Sequence, residues 1–79
     1  MSQAALTLEK LHVGKSARVL SLLADGSVRR RMLDLGLIEG TEVTSLYKSP
    51  SGNPVAYLIR GAVIALRSDI TSGITVSER

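Results

Sequence analysis

The chain contains no cysteine, no phenylalanine and no tryptophan, and it has a single histidine and two prolines. The missing thiols exclude a disulfide framework and any thiolate metal site. With Phe and Trp absent, the core of a chain that is 44% hydrophobic must be built from Leu, Ile and Val. A core rich in β-branched aliphatics suits small barrels and sandwiches. Long apolar runs are also missing: Val55–Ile59 and Ala62–Leu66 are the longest, too short to cross a bilayer. The start MSQAALTLEK has neither the basic head nor the apolar stretch of a signal peptide, so the expected location is cytoplasmic, without direct membrane insertion.

What is present fits one small domain over residues 1–79 with a formal charge of +3, a mild excess that does not identify a partner. Residues 7–12 (TLEKLH) read as one helical turn with Thr7 as N-cap, broken at Gly14. Residues 16–23 read as a first strand, imperfectly alternating, with Ala17, Val19 and Ser21 opposed to Arg18, Leu20 and Leu22. Asp25-Gly26-Ser27 is turn chemistry with a helix N-cap at Ser27, and the helix from Val28 to Leu35 puts Val28, Met32 and Leu35 on one face. Gly36 stands where a left-handed residue ends a helix, with Leu37 folding back onto Met32. Strands follow at Glu42–Lys48, Val55–Arg60, Ala62–Leu66 and Ile74–Ser77. Between them lie the loop Ser49–Pro54, a tight turn at Arg60-Gly61 and a turn or 3₁₀ element over Arg67–Ser72. The fold class is therefore all-β with one short helix, a small curved barrel of about five strands with that helix between strands 1 and 2.

Catalysis finds little material. Seven carboxylates are scattered without a close pair, and nothing in the spacing sets His12 beside a nucleophilic serine. Glu9 and His12, three apart on a short helical turn, are the only metal-ligand candidates, suited to a weak divalent site for an ion such as Fe2+. The simpler reading of His12 is a solvated surface residue, and no cofactor is implied.

Arg29, Arg30 and Arg31 fan across a helix face, about 100° apart. A phosphate-contacting patch needs more: with only Tyr47 and Tyr57 there is no stacking platform, so nucleic acid is the weaker partner class and a solvated face the simpler reading. A protein-binding patch is better placed at the helix C-terminus and the adjoining loop, with Leu35, Gly36, Leu37, Ile38, Tyr47 and Pro50 as candidates. Leu37 reads as a helix-end staple, and Ile38 equally as core and as surface.

The run RRRMLDLGLIEGTEV (Arg29–Val43) resembles the signature of the ferrous iron transport protein A (FeoA) family. The likeness continues through SPSGNP, RGAVIALR and ITV, and upstream through the spacing of Leu8, Leu11 and Gly14. Two positions depart from it: Glu39 stands where the family commonly has proline, and Asn53 where it often has aspartate. The resemblance implies an SH3-like barrel, a fold also found in iron-dependent transcriptional repressors. It implies a small cytosolic accessory of ferrous iron transport whose partner is FeoB, a membrane transporter with a cytosolic GTP-binding domain. The alternatives are a nucleic-acid-binding barrel using Arg29–Arg31 and a metal-responsive module.

Overall fold

The computed structural model describes residues 5–78. Six strands form one antiparallel sheet: β1 (Ala5–Thr7), β2 (Ser16–Leu22), β3 (Glu42–Lys48), β4 (Val55–Ile59), β5 (Ala62–Leu66) and β6 (Ile74–Glu78). Their order across the sheet is β1-β6-β2-β3-β4-β5. A 3₁₀ turn (Leu8–Lys10), helix α1 (Gly26–Asp34) and a helical turn α2 (Ser68–Thr71) complete the chain. The all-β expectation with one short helix after the long first strand holds.

The strand count is six because Ala5–Thr7 pairs with β6, Leu6 opposite Val76. Three residues without flanking turn signals carry no local signature, and their partner lies at the far end of the chain. Thr7 is the N-cap of the 3₁₀ turn, as expected, but that turn stops at Lys10. Helix α1 begins at Gly26 rather than Val28 and its N-cap is Asp25, not Ser27; the Asp25 carbonyl accepts the first bond, from the Arg29 N–H. Strand β4 ends at Ile59 because Arg60 (φ 51°) and Gly61 (φ 84°) form the two central residues of a tight hairpin turn joining Ile59 to Ala62. Positive φ at both central positions is the type I′ geometry that matches strand twist.

Two bulges bend the sheet. On β2 the register against β6 shifts between Val19 and Ser21, which makes Leu20 the extra residue. Ala17 and Val19 face the core, but the phase then slips, so Ser21 is exposed and Leu22 turns partly inward. The expected inward Ser21 is thereby corrected, and the imperfect alternation has its cause. On β3 the register against β4 shifts between Ser45 and Tyr47, so Val43 and Ser45 point inward while Tyr47, next in that phase, is turned out.

The core is one aliphatic cluster inside the curled sheet: Leu8 and Leu11 beneath it, Val19, Val43, Ile59 and Val76 from the strands, Met32 and Leu37 from the helix end. Tyr57 is the one aromatic residue in it.

Candidate functional site

The most constructed stretch of backbone is the end of α1. The Leu37 N–H donates to the Met32 carbonyl and the Gly36 N–H to the Leu33 carbonyl, both at 3.0 Å, with Gly36 at φ +93°. This is the Schellman pair of bonds, and it satisfies carbonyls the helix leaves open. Met32 and Leu37 are both fully buried, as the expected fold-back requires. Immediately after, the Thr41 N–H donates to the Ile38 carbonyl (3.0 Å) with Gly40 at φ +90°. That is a type II turn, with Glu39 in its second position. The Thr41 hydroxyl donates to the Gly36 carbonyl at 2.8 Å and ties the two turns together. Beside them Val19 and the Gly40–Thr41 backbone exchange two bonds, Val19 N–H to Thr41 and Gly40 N–H to Val19. The segment after the helix is thus anchored to the middle of β2.

A consequence is a groove of about 240 Å³ between α1 and β2. Its floor is Val19 and Leu37; its walls are Leu20 and Leu22 from the strand, Leu33 from the helix and Ile38 from the turn. Leu20, Leu33 and Ile38 keep 41%, 41% and 46% of their surface in solvent, an exposed aliphatic cluster of the kind that marks an interaction site. The groove has a charge at each end. The Arg29 guanidinium donates to the Leu22 carbonyl at 3.3 Å, and Glu39 adjoins Gly40 beside Val19.

Of the residues singled out from sequence, Leu35, Gly36, Leu37 and Ile38 are together here. Leu35 and Gly36 are half-buried, Leu37 is wholly buried and Ile38 is the one that faces out. Tyr47 (60% exposed) and Pro50 are exposed too, but at the other end of β3. The five steps along the strand from Glu42 to Tyr47 correspond to roughly 16 Å, so Tyr47 and Pro50 do not join the groove. Leu20 and Leu33 were not anticipated. Leu33 carried a signal: it lies off the Val28–Met32–Leu35 stripe, and of that stripe only Met32 is fully buried.

The arginine triplet divides. All three are exposed, but Arg29 leans onto β2, Arg30 borders a second concavity with Leu33 and Asp34, and Arg31 lines neither. Lys48 sits at the far end of β3, and the Arg60 side chain lies across Gly36.

Glu9 and His12 are exposed, and the 3₁₀ turn ends before His12, with Leu11 extended (ψ 124°). The helical spacing that would put both on one face is therefore interrupted. Among the described residues no group of three or more His, Asp or Glu side chains is placed to hold a metal ion. Glu9 instead borders a cavity of about 130 Å³ with Lys48, Asn53, Tyr57 and Thr71. Tyr57 is buried there, its hydroxyl 3.5 Å from the Leu8 carbonyl it donates to. Burial raises the Tyr57 phenol above its ordinary 10.0; the hydrogen bond with Thr71 opposes this and the Glu9 carboxylate adds to it. No helix among the described residues is long and apolar enough to cross a membrane.

A family model described as the FeoA domain matches residues 6–78. The Fe(2+) transport protein A/Fe(2+) transporter FeoB fusion protein of Porphyromonas gingivalis is 30% identical over 71 residues, 90% of this chain and 8% of that protein. The chain thus spans a small fraction of that curated relative. The FeoA protein of Chlorobium tepidum is 36% identical over 92% of this chain and 70% of its own, with a TM-score of 0.86. Stenotrophomonas maltophilia FeoA complexed with zinc is 31% identical over 90% of this chain and 88% of its own, with a TM-score of 0.81. It is described as a procaryotic SH3 domain protein, and the SH3-like barrel expected from the sequence is borne out.

Proposed function

The chain belongs to the FeoA domain family, and on that premise we propose that it is a non-enzymatic accessory of ferrous iron transport. In this reading it docks on the cytosolic GTP-binding domain of a FeoB-type transporter. The observation that carries the proposal is the Porphyromonas gingivalis fusion, in which a domain similar to this chain and a FeoB transporter share one polypeptide. Fusion puts two domains at a high effective concentration, which is useful where a separate chain must find its partner by surface affinity.

The docking face is the end of α1, where Ile38 is the exposed member of the Leu35–Ile38 segment and Leu20 and Leu33 extend it. The buried members act indirectly. Leu37 and Gly36 hold the turn that presents Ile38, and Tyr47 and Pro50 form a separate exposed site at the far end of β3. An aromatic-lined groove for proline-rich segments is absent from this face, so a flat aliphatic contact is the mode that fits. The chemistry available supports an accessory rather than a catalyst: the histidine is exposed on a loop, and the cavity beside Tyr57 is bordered by a single carboxylate, Glu9.

The test is binding of the purified chain to a full-length FeoB-type transporter in detergent or nanodiscs, read by calorimetry. Saturable binding that Ile38→Asp weakens at least tenfold supports the proposal; absence of binding with the wild-type chain removes it. A reading through nucleic acid predicts salt-steep binding lost when Arg29–Arg31 become alanine. The diversion of Arg29 to the Leu22 carbonyl does not favour it.

A further inference from the structure

The charges of the α1–β2 groove are arranged to complement a second copy of the same groove. Along β2 the groove runs from Val19 to Leu22. Glu39 stands at the Val19 end, next to Gly40, whose N–H bonds the Val19 carbonyl; Arg29 stands at the Leu22 end, bonded to that residue's carbonyl. The two residues adjoin backbone positions, Val19 and Leu22, that are three steps apart along β2, roughly 10 Å. No ion pair joins either of them to another described residue. Between them lie the exposed Leu20, Leu33 and Ile38.

A two-fold axis through the centre of such a groove exchanges its ends. Arg29 of one copy then meets Glu39 of the other, the reverse pair forms at the opposite end, and the three aliphatic side chains of each copy pack together between them. That is the isologous arrangement in which residue i contacts j and j contacts i. Arg29 uses one of its five N–H donors on Leu22, which leaves others for a carboxylate. Arg18 donates to the Gly40 carbonyl at 3.0 Å, next to Glu39, without forming an ion pair with it.

From this geometry we infer that the chain self-associates as a two-fold dimer through the α1–β2 groove, with Arg29 and Glu39 paired reciprocally across the axis. Three aliphatic residues from each copy and two ion pairs make a small contact, so the dimer is weak and populated at high concentration. The inference goes beyond transporter docking and stands without it. Where both hold, the dimer hides the docking face and the two associations compete.

Sedimentation equilibrium on the full chain, from about 10 µM to about 1 mM at physiological ionic strength, tests it without any transporter. A concentration-dependent shift toward twice the monomer mass is expected. Glu39→Arg and Arg29→Glu are each expected to abolish it, although one raises the net charge and the other lowers it, which separates a local pair from general repulsion. The exchange Glu39→Arg/Arg29→Glu keeps the net charge at +3 and is expected to restore association. Melting curves of the variants establish that each is folded, and both sites are exposed. A monomer at the highest concentration overturns the inference. So does association that survives both single reversals, which assigns it to another face, and so does a double exchange of a folded protein that stays monomeric.

Discussion

The side chain of Arg60 lies directly over Gly36, so that a Cβ at position 36 would collide with the Arg60 Cδ. Both residues have positive φ. Gly36 is the left-handed end of α1, and Arg60 is the one non-glycine residue among those described with positive φ. The hairpin turn is thus packed onto the helix end, and the strained arginine covers the place where the helix backbone is bare. A left-handed residue with a Cβ costs about 1–2 kcal/mol, which Arg60 already bears.

Gly36→Ala is expected to lower stability by about 1–3 kcal/mol, from φ strain together with displacement of Arg60. Gly36→Val is expected to cost more, since a β-branched residue at positive φ is a true outlier. Chemical denaturation of Gly36→Ala, Arg60→Gly and the double variant separates the terms. The collision should vanish in the double variant, leaving the strain at position 36 and a positive coupling between the two sites.

Glu39 occupies the second position of the type II turn from Ile38 to Thr41, where proline is favoured. Its own N–H takes no backbone bond, whereas those of Gly40 and Thr41 do. Glu39→Pro is therefore expected to stabilise by about 0.4–1 kcal/mol, chiefly by restricting the unfolded chain. A rise in melting temperature checks it.

Ser45 points into the core opposite Tyr57, and its hydroxyl is fully buried without a hydrogen-bond partner. An orphaned buried hydroxyl costs about 1–3 kcal/mol. Ser45→Ala removes it with little change of volume, and a gain of about 1 kcal/mol in unfolding free energy is expected.

The raised pKa of Tyr57 means that the fold favours the neutral phenol. Its contribution to stability is fully present below the unfolded value of 10.0 and is lost as pH rises through the higher folded value. At neutral pH, Tyr57→Phe is expected to be less stable by about 0.5–1.5 kcal/mol through the lost hydrogen bond. Above pH 10 the difference should shrink, because ionisation of the phenol in the unfolded chain favours unfolding of the wild type and has no counterpart in the phenylalanine variant. Denaturation midpoints of both proteins from pH 7 to pH 11 give the comparison.

What the sequence disclosed follows from how local each feature is. The α1 ending was readable because Gly36, Leu37 and Met32 are close in the chain and their chemistry prescribes one geometry. The strands of β3, β4 and β5 were readable from apolar runs bounded by turn residues. Strand β1 was not, because Ala5–Thr7 is a strand only by virtue of pairing with β6. The bulges at Leu20 and Leu46 belong to register between strands, and they decide which way Ser21, Leu22 and Tyr47 face. The candidate site was half legible for the same reason. Leu35–Ile38 followed from the helix end, and Leu33 stands on the same helix off its buried stripe, whereas Leu20 joins them only through the bonds between Val19 and the Gly40–Thr41 turn.

Docking of this FeoA-family chain on a FeoB-type transporter through the α1–β2 groove, as proposed above, makes Ile38 and Tyr47 unequal. The most direct measurement is calorimetric titration of the full-length transporter with three chains: wild type, Ile38→Asp in the groove and Tyr47→Asp at the opposite end of β3. Saturable binding is expected for wild type and Tyr47→Asp, and binding at least tenfold weaker for Ile38→Asp, a loss of about 1.4 kcal/mol or more. Equal binding by a folded Ile38→Asp chain, or loss of binding with Tyr47→Asp alone, would contradict docking through the groove.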